Sequence, residues 1–204
     1  MLNAAETGNI IIIKTIARVC RELSEGELLQ IYNTEKRSLD ENEYFRMISK
    51  KTAALISVCS EIGAITVNAP SEIIRQCKLF GEYLGFCFQI KDDIFDYYED
   101  LNIGKPTGND IREGKITLPL LYALKNAPEK EKDYYLDIIE NQNYTAEKVS
   151  ELIRFAKQYG GIEYAEKCLL EYQQKAVEII RSFPDSEARK SLLLLADYFS
   201  ERTN

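Results

Sequence analysis

Apolar residues recur every three or four positions along almost the whole chain, the spacing of helices that bury one face. Ile10, Ile13, Ile16, Ala17, Cys20 and Leu23 form the first such stripe, and Leu28 to Ile31 continue it past Gly26. Residues 33–40 are polar and end in Asp40, a side chain suited to capping a helix N-terminus. A long helix is therefore expected from there through Tyr44, Met47, Ile48, Ala53, Leu55 and Ile56 to about Val67, where Asn68-Ala69-Pro70 breaks it. The next helix is expected over 72–99. Residues 102–117 have a loop composition, with Gly104, Pro106, Gly108 and Gly114 close together. Thr117 and Pro119 then suit the opening of another helix, because proline is tolerated in a first turn. Further helices are expected over 129–140, 146–159, 162–181 and 185–201. Sustained apolar/polar alternation and Asn-Gly or Asp-Gly hairpin pairs are absent from the sequence, so the expected class is all-α, as one helical domain over 1–204.

Composition narrows the chemistry. The 204 residues are 45% hydrophobic and 29% charged, enough for a sizeable core. The formal net charge of -7 argues against a nucleic acid as the main partner, since phosphate backbones are met by basic faces. No apolar run approaches the roughly 20 residues of a membrane span, and no signal peptide is apparent at the N-terminus, so the cytoplasm is the expected location. Cys20, Cys59, Cys77, Cys87 and Cys168 lack CxxC spacing and are expected to be small buried hydrophobes. Histidine does not occur at all. An imidazole base and a His-ligated zinc are thereby excluded, leaving carboxylates, lysines, hydroxyls, amides or a hard metal.

Acids concentrate at one place. In the run from Gly85 to Tyr97, Asp92 and Asp96 are one helical turn apart and Asp93 lies three residues before Asp96, so the carboxylates share a rim. Like charges at that spacing repel, and in the last turns of a helix the macrodipole also disfavours them. Ile90, Ile94 and Phe95 bracket the acids, which places them at the edge of a buried element. A hard divalent cation would relieve the repulsion; magnesium suits carboxylate oxygens completed by substrate phosphates. Just downstream, the glycine-rich segment from Gly104 to Thr117 supplies Lys105, Arg112 and Lys115. Cations on a loop beside a carboxylate cluster are what a diphosphate requires, because its charge must be neutralised from several sides.

These motifs resemble the trans-isoprenyl diphosphate synthases. DDIFD at 92–96 looks like that family's second aspartate-rich motif, and FQIKDDIFD followed by GKPTGNDIREGKITLPLLYAL looks like its most distinctive C-terminal block. Upstream, Gly26-Glu27 in SEGELLQ and Lys51-Thr52 in KKTAALI match two further signatures in the right order. The last 80 or so residues match only in helical character. The resemblance implies a helical bundle of the isoprenoid synthase type, lacking that family's N-terminal helices, and the condensation of isopentenyl diphosphate with an allylic diphosphate. It implies magnesium on Asp92, Asp93 and Asp96, and diphosphate held by Lys51, Lys105, Lys115 and Arg112. Lys51 and Lys115 would also assist departure of the diphosphate, while Thr52 and Gln89 turn oxygens toward the developing carbocation. Lys91 departs from the family pattern and receives no role.

The family's first aspartate-rich motif, the arginine pair after it and its isopentenyl-diphosphate segment are not in these residues. The chain is accordingly expected to be the C-terminal part of such a synthase, with little prenyl transfer alone, and to form a homodimer through segments around 10–29 and 44–67. Two other possibilities share the architecture: a non-catalytic subunit of a heteromeric synthase, and a terpene cyclase or head-to-head synthase. The intact acids and Lys115 speak against the first, and the GKPTGNDIREGKITLP loop against the second.

Overall fold

Helical periodicity is realised throughout this computed structural model, which describes residues 2–98 and 107–201; no strand occurs among them. The elements are α1 (Leu2–Glu6), α2 (Ile10–Lys36), α3 (Glu41–Ile48), a π-helical turn (Ser49–Ala53), α4 (Ala54–Thr66), α5 (Ser71–Phe95), α6 (Asn109–Arg112), α7 (Leu118–Asn126), α8 (Glu129–Glu140), α9 (Ala146–Gln158), α10 (Gly161–Arg181) and α11 (Glu187–Glu201). The fold is all-α. Among the described residues, no helix is long and apolar enough to cross a membrane.

Several boundaries differ from the expected ones, each for a local reason. Asp40 does cap a helix, its Oδ1 accepting the Asn42 N–H at 2.8 Å, but the long helix it opens is interrupted by the π turn. The helix expected to reach residue 99 ends at Phe95. There the backbone tightens, with the Tyr97 N–H donating to the Ile94 carbonyl and the Tyr98 N–H to that of Phe95. The last helix starts at Glu187, because the Ser186 hydroxyl accepts the Arg189 N–H at 3.1 Å. Two short helices, α1 and α6, arise where none was marked.

The residues group into two units, one made of 1–29, 46–89 and 169–203 and the other of 30–45 and 90–168. In the first, Phe80 and Leu84 of α5 pack with Ala176 and Ile180 of α10 and Ala196 of α11. A smaller cluster joins Ala4, Ile12 and Ile65. In the second, α7 packs against α9. Val149, Leu152, Phe155 and Ala156 form the buried stripe of α9, and Thr145 caps that helix. Full burial of a side chain such as Leu152 is worth about 2 kcal/mol in transfer free energy. Cysteine burial is mixed, not uniform: Cys87 and Cys168 are buried, whereas Cys20 and Cys59 are exposed. Both exposed thiols lie on solvent-facing helical positions, which the chain's apolar periodicity alone did not separate from the core.

Candidate functional site

Close packing builds the site in the first unit. Gly26, in the middle of α2, lies against the backbone of the π turn. A Cβ at that position would fall 2.6 Å from the Lys51 Cα, nearer than real side chains approach. On another side, a Cβ on Gly85 of α5 would fall 2.7 Å from the Cβ of Ala53. The π turn is thus pressed by bare backbone from two helices, and both glycines serve close approach. An extra residue in one turn bulges the chain outward, a device common at functional sites. Here the bulge carries Lys50, Lys51 and Thr52.

Each of these side chains has a partner in the same unit. Lys50 pairs with Glu25, holding that exposed carboxyl below its ordinary value. Lys51 lies 3.5 Å from Glu27 of α2. The Thr52 hydroxyl donates to the Gln89 Oε1 at 2.7 Å. A hydroxyl that donates this way keeps its lone pairs for facing positive charge. Gln89 and Thr52, both singled out by the family resemblance, are therefore brought together.

Polar bonds build the site in the second unit. Asp96 follows the end of α5 and uses both carboxylate oxygens on the start of α6: Oδ1 accepts the Asn109 N–H at 2.8 Å and Oδ2 the Asp110 N–H at 3.0 Å. Its carbonyl also accepts the Gly108 N–H at 2.8 Å. This anchors the segment that carries the cations. Burial, with Asp110 nearby, raises the Asp96 pKa even though those N–H groups and Arg112 pull it down. Lys115 donates to Asp110 at 2.9 Å and pairs with Glu113 at 2.6 Å. Burial alone would lower its pKa, but these two carboxylates outweigh burial and raise it, so it is a firmly charged ammonium. Arg112 donates to the Thr107 carbonyl at 2.6 Å and is exposed. Lys91 places its ammonium 5.4 Å from the centre of the Phe95 ring, a cation–π contact.

Helical geometry separates the three acids. Asp92 and Asp96 are half-buried, while Asp93 is 3% exposed and accepts the Tyr44 hydroxyl at 2.6 Å. Among the described residues, no group of three or more acidic or thiol side chains is arranged to hold a metal ion. The oxygen donors remain of the hard type that magnesium takes, with waters and phosphates supplying the remaining positions. Lys105 lies outside the described residues. Three contributors went unforeseen: the π turn, Glu27 as the partner of Lys51, and Tyr44. Tyr44 occupied a core-facing position in the pattern, and nothing in the sequence pairs it with an acid 49 residues away. An open depression of about 850 Å³ in this unit, lined by Lys36, Arg37, Lys125 and Tyr164 among others, contains none of the expected site residues.

Comparison with known proteins bears on all of this. A family model described as polyprenyl synthetase matches residues 1–156, which include the candidate residues of both units. Heptaprenyl diphosphate synthase component 2 of Bacillus subtilis is 37% identical over 195 residues, covering 94% of this chain and 53% of that protein. A crystal structure of geranylgeranyl pyrophosphate synthase from Bacteroides thetaiotaomicron superposes with a TM-score of 0.91 at 41% identity, over 98% of this chain and 67% of that one. A polyprenyl synthase from Caulobacter crescentus, crystallised with calcium and isoprenyl diphosphate, gives 0.91 at 29% identity over 98% of this chain and 61% of that one. The chain spans a little over half the length of the curated relatives it matches.

Proposed function

The chain belongs to the polyprenyl synthetase family, and from that premise we propose that it is the diphosphate-gripping part of a prenyl transferase joining isopentenyl diphosphate to an allylic diphosphate. The observation that supports this best is the tie between Asp96, just past the end of α5, and the segment that carries Arg112 and Lys115. Asp92 and Asp96, the two acids that keep exposed surface, would hold magnesium together with diphosphate oxygens. Bound there, magnesium offsets the charge of the departing diphosphate. Lys51, Lys105, Arg112 and Lys115 bind that diphosphate. Lys51 and Lys115 each exchange a carboxylate partner for a phosphate oxygen, and the Lys115 ammonium is firmly charged before substrate arrives. The oxygens of Thr52 and Gln89 face the carbon that becomes positive as the bond to oxygen lengthens, an electrostatic contribution that needs no proton transfer.

The cytoplasm is the proposed location and a homodimer the proposed assembly. A second reading follows from the Bacillus subtilis relative, whose name makes it one component of a synthase: the chain acts beside a different partner chain.

Calorimetric titration of the chain with inorganic diphosphate tests the proposal. Binding is expected to require magnesium and to be lost in Asp92→Ala and weakened in Lys115→Ala. Binding that ignored both magnesium and Asp92→Ala would overturn the assignment. In parallel, prenyl transfer by these 204 residues is expected below detection, since the sequence holds a single aspartate-rich motif and removing one side of such a cage costs several kcal/mol of barrier, on the order of 3 or more.

A further inference from the structure

The acid that the motif places between Asp92 and Asp96 lies on a different side of its helix. Counting from Asp93, Ile90 is three residues back and Tyr97 four residues on, and each is 0% exposed. Asp93 therefore belongs to the buried stripe of this turn, whereas Asp92 and Asp96, four apart, form a rim beside it. Its carboxylate meets the hydroxyl of Tyr44, itself 3% exposed, at 2.6 Å, within the range of a charge-assisted O–H···O⁻ bond. Tyr44 lies in α3, so one bond ties that helix to the turn of α5 that carries the acids. A buried carboxylate is unfavourable unless it is hydrogen-bonded. Burial, followed by the charge of Asp93, raises the Tyr44 pKa, so its proton stays on the phenol and remains available to donate.

We infer that Asp93 is a positioning residue and not a metal ligand, with Tyr44 as its partner: the pair fixes the roll of the last turn of α5 so that Asp92 and Asp96 present their oxygens together. This rests on the magnesium–diphosphate reading of the site and refines it. A ligand and a positioning acid respond differently to an amide. Asparagine keeps an oxygen that can accept from Tyr44 but removes the charge that a hard cation needs.

The test is the magnesium concentration required for half-maximal binding of inorganic diphosphate, measured by calorimetry on the full 204-residue chain, with melting temperature recorded for every variant. Asp93→Ala and Tyr44→Phe are each expected to raise that concentration by about tenfold, as removal of an outer partner of a metal ligand typically does. Asp93→Asn is expected to restore it to nearly the wild-type value, while Asp92→Asn loses as much as Asp92→Ala. Asp93→Asn behaving like Asp92→Asn would make Asp93 a ligand and overturn the inference. A lower melting temperature in Asp93→Ala with an unchanged magnesium requirement would overturn it too, leaving a purely structural bond. Failure of the wild-type chain to bind diphosphate at any magnesium concentration is a separate result. It would sink the parent reading and the inference together.

Discussion

The candidate residues of the two units are held by opposite means. Around Lys51 and Thr52 the backbone is fixed by contact, with Gly26 and Gly85 letting two helices touch a π turn. Around Asp96 and Lys115 it is fixed by hydrogen bonds and charge, with carboxylates engaging backbone N–H groups and an ammonium. Contact positions are intolerant of added volume and indifferent to salt or pH. Charged positions accept changes of size but answer to whatever competes for their oxygens. The adaptable residues are those on the segment that carries Arg112 and Lys115.

The largest expected effect tests the residues held by contact. Gly26→Ala should destabilise the chain by about 3 kcal/mol, because the Lys51 backbone has no room to yield. Gly63→Ala is the matched control: that α4 glycine is exposed, and a Cβ there meets nothing within 4 Å. It should stabilise by about 0.5–1 kcal/mol through helix propensity. Urea denaturation of both variants checks the pair, and equal effects would remove the basis of the comparison.

Next in size is the group held by polar bonds. Asp96→Ala removes two charged acceptor bonds at the start of α6, worth about 1.5–3 kcal/mol locally. The signature should be confined: hydrogen exchange at Asn109 and Asp110 accelerates while amides of α4 stay protected. Exchange spreading into α4 would show that the polar segment supports more than itself.

Smallest near neutral pH is the effect of Cys87, a gauge of how tightly the first unit is packed. Burial pushes its thiol from 9.0 up to about 12. The folded state thus prefers the neutral thiol, a contribution fully present below pH 9 and lost as pH rises through about 12. Cys87→Ala should flatten the loss of stability across that window. At pH 8, alkylation should label exposed Cys20 and Cys59 and spare Cys87.

Much of this was legible in the sequence. The helices and the Asp40 cap follow from periodicity and capping chemistry, and the family resemblance singled out Thr52 and Gln89, although not their contact with each other. The π turn was not legible, because the polar run Ser49-Lys50-Lys51-Thr52 also suits the solvent-facing turn of an unbroken helix and no proline or glycine marks it. The end of α5 at Phe95 was equally hidden: Asp96 leaves the helix through bonds to Asn109 and Asp110, a long-range arrangement that no local propensity encodes. Asp93 shows a third kind of miss. Its residue type grouped it with Asp92 and Asp96, while its spacing from Ile90 and Tyr97 already placed it on the buried stripe.

The π turn also has a consequence for inheritance. Such a turn contains one residue more than the α turn it replaces, so it amounts to an insertion absorbed without breaking the helix. Removing one residue between Ser49 and Ala53 would restore an ordinary α turn and leave the flanking helices in register, yet abolish the outward bulge that aims these side chains. Lys51 and Thr52 would survive in composition and vanish in direction. Chain length through these five positions is therefore selected separately from the identity of the side chains they carry.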